Sequence, residues 1–279
     1  MIGRPSSHVV LTCLLASTAI PSASFAQQPS GNVVKVDPAV NASGPGGARL
    51  LELEGAVFMG DEIVASPYGL AQIRFVDDTR MVIGPNSRLR IDEFVFSSDL
   101  TAQEVTITAL KGAFRFISGN SPSEAYSIRT PTMTIGVRGT VVDFYAAVNG
   151  TESGAIFHDG SGDVCDAAGT NCVVAVDDCR LFVAPQGGGP GEATGIDREL
   201  RLQVRFPFVG GQGGLDAAFQ ADTGACGNAS NIRTLGTPPD NNDKLENRVF
   251  DEFDGKEPPG DDDDSDSDDT DSDDDFDDA

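Results

Sequence analysis

Between residues 48 and 150 apolar and polar side chains alternate in short runs. Ala71, Ile73 and Phe75 alternate with Gln72, Arg74 and Val76. Leu89 and Ile91 alternate with Arg88 and Arg90, and Val105 to Leu110 alternates again. A period of two is the mark of a half-buried strand. Turn residues separate the runs: Pro67-Tyr68-Gly69, Asp77-Asp78-Thr79, Gly84-Pro85-Asn86-Ser87 and Lys111-Gly112. Short strands broken by turns about every 8 to 10 residues predict an all-β fold, a compact twisted antiparallel β-sandwich or a short β-solenoid. The same texture continues through 141–148, 153–157, 173–176 and 180–184. Residues 199–208 predict a last strand, with Leu200, Leu202, Val204, Phe206 and Phe208 on one face and Arg201, Gln203 and Arg205 on the other. Residues 215–225 predict one short helix.

The ends have a different texture. Arg4, an apolar run from Val9 to Ile20, and the small-residue site Ser24-Phe25-Ala26 predict a secretory signal cleaved after Ala26. That apolar run is shorter than the roughly 20 residues a membrane span needs. The mature chain is then expected to lack a transmembrane segment and to be periplasmic or secreted. Residues 27–47 read as a linker, although Val33 to Val36 suit one strand. The β domain proper is expected at 48–150, a β extension packed on it at 151–215, a disulfide-tethered segment at 216–237, and a disordered acidic tail at 238–279.

The formal net charge is −25. Residues 261–279 carry thirteen aspartates and no base, and 240–260 carry a further −4, which leaves −8 for the remainder. Such a surface does not suit nucleic acid or anionic lipid. Cys13 leaves with the signal. The four that remain, Cys165, Cys172, Cys179 and Cys226, read as two disulfides in an exported protein. Metal is the weaker reading, because zinc knuckles space their cysteines by roughly two to four residues. Three connectivities are open. The hairpin-sized loop between Cys165 and Cys172 favours that pair and leaves Cys179 with Cys226.

Catalytic chemistry has little support in the residues. No Gly-rich phosphate loop or Gly-x-Ser-x-Gly elbow is present. His158, in Phe157-His158-Asp159-Gly160, reads as part of a surface turn. Asp61-Glu62 and Asp77-Asp78 sit at turns, where Asp caps backbone groups. No catalytic residue and no cofactor is expected. Asp264, Asp266 and Asp268 have the first spacings of a calcium loop, but positions 269 and 275 hold Asp where Gly and Glu are wanted, so they form at most a weak calcium site.

The stretch Thr130-Pro131-Thr132-Met133-Thr134-Ile135-Gly136-Val137-Arg138-Gly139-Thr140 breaks the strand pattern. Met133, Ile135 and Val137 alternate properly, yet Gly136 and Gly139 weaken a strand. The favoured reading makes Arg138 a structural staple that bonds carbonyls or a carboxylate such as Asp143. Together with Gly60 to Ile91, the Leu110 to Phe116 run LKGAFRF, and Arg129 to Phe144, this motif resembles the FecR domain family over residues 48–150. The family has Asp-Gly-Thr where this chain has Asp77-Asp78-Thr79. The name comes from regulators of iron-citrate uptake, which carry a cytoplasmic segment and one span before this β domain. Neither is read in this sequence. The resemblance implies an exported, non-enzymatic β module that binds an envelope protein in signalling or assembly. The alternative is an adhesive or glycan-binding surface protein with a weakly calcium-responsive tail.

Overall fold

The computed structural model describes residues 3, 28–96, 102–176, 179–224 and 226. The expected signal segment, the acidic tail and Asp264, Asp266 and Asp268 lie outside the described residues. Fifteen strands follow in order: β1 (Gly31–Asp37), β2 (Val40–Gly44), β3 (Gly47–Leu50), β4 (Ala56–Val57), β5 (Glu62–Ala65), β6 (Leu70–Phe75), β7 (Arg80–Ile83), β8 (Arg88–Phe96), β9 (Ala102–Ile117), β10 (Tyr126–Arg129), β11 (Met133–Ala146), β12 (Glu152–Asp166), β13 (Val173–Val176), β14 (Leu181–Pro185) and β15 (Gly191–Ala193). They hydrogen-bond into one mixed sheet with a spine β15-β14-β12-β11-β10-β9-β7-β6-β1-β4. Every pairing is antiparallel except β9 with β10. The fold is all-β.

Three long strands let one sheet turn back on itself. The first half of β9 pairs with β8 and β10, and its second half pairs with β7 and β11. Inward side chains from both halves, among them Ile73, Ile107, Phe114, Phe116, Phe144 and Phe157, meet in one apolar core. Burying each Phe or Ile stabilises the fold by about 1.5–3 kcal/mol. Lys111-Gly112 is not the expected turn. The chain runs straight through it as β9, and Gly112 takes a φ of 105°. A side chain there would also meet Ser87, with a Cβ 2.1 Å from its Oγ.

Two other expectations are corrected. Residues 27–47 are not only a linker, because β1 and β2 lie there and pair with β6 and β5. Residues 199–208 are not a strand. They fall in α1 (Gly195–Arg205) and α2 (Pro207–Gly210). Leu202, Phe206 and Val209 are buried together at helical spacing, whereas Leu200 is exposed. Pro207 is placed where a helix starts and its missing N–H costs nothing. Past α2 a single 3-10 turn spans Ala217–Phe219 within the region expected to be helical.

These helical pieces form a second layer on the outer side of the sheet. Leu202, Phe206 and Val209 pack on Tyr145, Ile156 and Leu181. Phe208, Leu215 and Phe219 pack on Leu70, Val82 and Ala113. The segment from Phe206 to Cys226 is thus a strap laid across one half of the outer face.

Candidate functional site

Register decides which side chains share the outer face. One row runs across eight strands from β1 to β15: Lys35, Gln72, Val82, Arg115, Asp143, Ile156, Leu181 and Ala193. The strap covers this row. Its polar members therefore lost water on folding and needed partners. Arg115 is fully buried and grips Asp143 bidentately, at 2.6 Å from Nε to Oδ1 and 2.8 Å from Nη2 to Oδ2. The same guanidinium donates to the Phe208 carbonyl at 2.9 Å, the Phe219 carbonyl at 3.4 Å and the Gln212 side chain. Lys35 Nζ and Gln72 Nε2 donate to the Gly214 carbonyl, and Gln72 Oε1 accepts from the Asp216 N–H. Arg80 donates to the Ala218 carbonyl at 2.5 Å.

His158 joins this network. Its Nε2 lies 3.0 Å from Asp143 Oδ2 and its Nδ1 lies 3.1 Å from Cys226 Sγ. The expected surface turn is in fact part of β12, and the imidazole is buried beneath the strap. Burial pushes the Asp143 carboxyl up, but the charges and hydrogen bonds of Arg115 and His158 outweigh it and hold its pKa at about 2. Arg138 does not reach Asp143. Its side chain is 59% exposed and pairs with Asp163 instead. Arg138 thus ties β11 to β12 through an exposed pair, while the buried arginine that staples β9 to β11 is Arg115, which lies outside the motif. Its signal was available: a charge between two core phenylalanines in LKGAFRF.

The cysteines are joined as Cys165–Cys172 and Cys179–Cys226. The first closes the loop after β12 onto β13. The second ties the end of the strap to the segment before β14. Asp61 and Asp77 do cap backbone groups, and both are buried. Asp77 also accepts from Thr79, Ser121 and Tyr126, while Asp61 holds Arg49. No cluster of His, Cys, Asp and Glu among the described residues is arranged to hold a metal ion.

The other half of the outer face is free of the strap. There a row runs Glu93, Thr106, Ser127, Gly136, Asp163 and Val174 from β8 to β13. The neighbouring row places Arg138 beside Ser161 and Val176, and the row on the other side places Arg129 beside Thr134. The motif residues divide accordingly. Thr130 and Thr132 are buried in the turn that joins β10 to β11, where Thr130 Oγ1 accepts from the Met133 N–H at 2.9 Å. Pro131 is exposed in that turn, and Val137 points into the core. Gly139 lies at a bulge between β11 and β12, at a φ of 57°. Thr140 is buried next to it and its N–H donates to Ser118 Oγ.

Of the two glycines in the motif, Gly136 has neither a packing nor a conformational reason. A Cβ added there meets nothing nearer than Asp163 at 3.9 Å, and its φ is not in the left-handed region. A mid-strand glycine costs roughly 0.5–1 kcal/mol relative to alanine. Gly136 leaves a dent in this half-buried part of the face, flanked by Arg129 and Arg138, with buried Thr106 two strands away. At the rim, β13 pairs only with β12 among the described residues, and Val174 is 62% exposed.

Residues 61–158 match the family model described as FecR protein. Over this stretch the chain is similar to the FecR family. The stretch contains the whole motif, the bare face from β8 to β11, and Arg115, Asp143 and His158. Two crystal structures of a protein described as an anti-sigma factor from Parabacteroides distasonis ATCC 8503 are similar at 16% identity and a TM-score of 0.39. The similarity covers 51% of this chain and 64% of that one, so this chain spans just under two thirds of its length. A structure described as a cell surface anchoring domain is similar at 32% identity over 22% of this chain and 82% of that one, with a TM-score of 0.21. No curated protein matches.

Proposed function

We propose that this chain is an exported, non-enzymatic FecR-domain module that binds an envelope protein, and that the partner docks on the bare outer face centred on Gly136. The observation that carries the reading is Gly136 itself, a strand-centre glycine that the fold does not require. Glycine in a strand allows another backbone to approach closely. Around the dent, Arg129 and Arg138 offer fixed donor forks. The open edge of β13, with Val174 and Val176 facing out, offers main-chain hydrogen bonds for an added strand. The disulfides support an exported location, and no helix among the described residues is long and apolar enough to cross a membrane. The most catalysis-like constellation, Asp143 with His158, lies buried under the strap with both ring nitrogens already partnered.

The test is a crosslinking pull-down from the native envelope with the mature chain and its Gly136→Val variant. Valine fits the open space and suits a strand, so the variant is expected to fold with equal or greater stability. It is expected to lose the envelope protein that the parent chain captures. Undiminished capture by a folded Gly136→Val chain refutes the docking face. Capture that depends on residues 238–279 instead moves the assignment to surface adhesion.

A further inference from the structure

The Cys179–Cys226 bond sits in surroundings unlike those of a passive crosslink. His158 Nδ1 is 3.1 Å from Cys226 Sγ, and Asp143, itself held by Arg115, fixes the opposite ring nitrogen at 3.0 Å. A cation approaches from α1: Arg198 Nη2 donates to the Cys179 carbonyl at 3.1 Å and to the Cys226 carbonyl at 3.2 Å. The other side chains around the bond, including Tyr145, Ile156, Leu181, Leu202 and Phe206, form an apolar wall. Asp177 and Asp178 precede Cys179 in the chain and lie outside the described residues. A thiolate beside His and Arg is stabilised, and a stabilised thiolate leaves faster in thiol–disulfide exchange.

The arrangement is also asymmetric. His158 Nδ1 pairs with Cys226 Sγ, and Cys179 is the more exposed residue, at 7% against 2%. Attack at the more exposed residue, Cys179, thus expels the sulfur that His158 faces.

We propose that Cys179–Cys226 is an exchangeable disulfide that takes thiol reductants at Cys179, with His158 holding the departing Cys226 as its thiolate. The sulfur of an incoming thiol bonds to Cys179 Sγ, and the S–S electron pair passes to Cys226 Sγ. The proton of the incoming thiol ends on His158 Nδ1, facing the new thiolate. Asp143 takes no proton and orients the ring, as the third group does in nucleophile–base–orienter sites. A second thiol then attacks the mixed disulfide and frees Cys179. The thiol pair is oxidised and the protein disulfide reduced. Reduction removes the covalent tie between the strap and the sheet, leaving Arg115, Gln72 and Lys35 to hold it.

The first test uses the unsubstituted mature chain and glutathione, with the mixed disulfide trapped by acid and located by mass spectrometry. The adduct is expected on Cys179, and an adduct chiefly on Cys226 overturns the proposal. The second test uses the full chain with Cys179→Ala, which leaves Cys226 as the free thiol. Thiolate absorbance against pH is expected to place Cys226 at least about one unit below the ordinary cysteine value of about 8.5. Adding His158→Gln is expected to raise it by about one unit. A Cys226 titrating at about 8.5 or above, or unmoved by His158→Gln, overturns the proposal. In the chain with both bridges intact, dithiothreitol is expected to reduce Cys179–Cys226 several-fold more slowly after His158→Gln, and an equal or faster rate overturns it.

Discussion

Asp143→Asn isolates the charge at the centre of the covered row. Asparagine keeps the shape of the side chain and removes its charge. Arg115 stays fully buried without a counter-ion. Removing one partner of a buried pair costs about 3–5 kcal/mol, because the remaining charge is desolvated and uncompensated. For a domain of this size that lowers the melting temperature by on the order of 10 °C. The pH dependence gives an independent handle. The folded value of Asp143, about 2, lies below its ordinary 3.8. A depressed carboxyl stabilises the fold fully above its unfolded value and loses that contribution as pH falls through its folded value. At about 1.36 kcal/mol per unit, the acid-labile part is on the order of 2 kcal/mol. Urea unfolding at pH 7, 4 and 2 should therefore show the parent chain losing its advantage over Asp143→Asn between pH 4 and 2. A gap that does not change with pH, or one under about 1 kcal/mol at pH 7, refutes the view that this ion pair holds the strap.

Further outcomes follow from single contacts. Replacing Arg115 and Asp143 together by Met and Leu should cost less than the two single changes added, because no charge is left orphaned, and a double-mutant cycle in urea measures the coupling. Gly160→Ala should destabilise by about 2 kcal/mol or more, since its φ is 69° and a Cβ would lie 2.2 Å from the Gly139 carbonyl oxygen. Asp78→Gly should be neutral or stabilising by about 0.5–1 kcal/mol in thermal melts, because Asp78 sits at a φ of 70° and its ion pair with Arg74 is largely exposed.

Strand texture was legible wherever one face met the core. Alternation at 71–76, 88–91 and 105–110 marks β6, β8 and β9 because a pleated strand must sort its side chains by face. It was misleading at Leu200 to Phe208, where spacing by two also satisfies part of a helical stripe. Only the burial of Leu202, Phe206 and Val209 against the sheet separates the two. The short strands of 31–44 were hidden by the Gly, Pro and Asn among and around them. The glycines of the motif were visible as an anomaly, and their different causes were not. Gly139 answers to backbone conformation at a bulge, and Gly136 answers to nothing in the fold.

Arg115 and His158 escaped for one shared reason. In a strand, a polar residue between inward apolar ones points to the outer face, and an outer face is ordinarily wet. Here a strap from almost a hundred residues further along the chain covers half of that face, so outward came to mean buried. The same rule then applies in reverse to the uncovered half. Gly136, Arg138 and Asp163 share the sheet, the strands and the outward direction with the covered row, yet the described chain lays nothing over them. On the covered half, the sheet supplies fixed donors and the strap supplies carbonyls. On the bare half, Arg129, the free edge of β13 and the donors of Arg138 that Asp163 leaves over repeat that offer. A second polypeptide lying across the dent at Gly136 would reproduce the strap's mode of attachment on the other half of the same face.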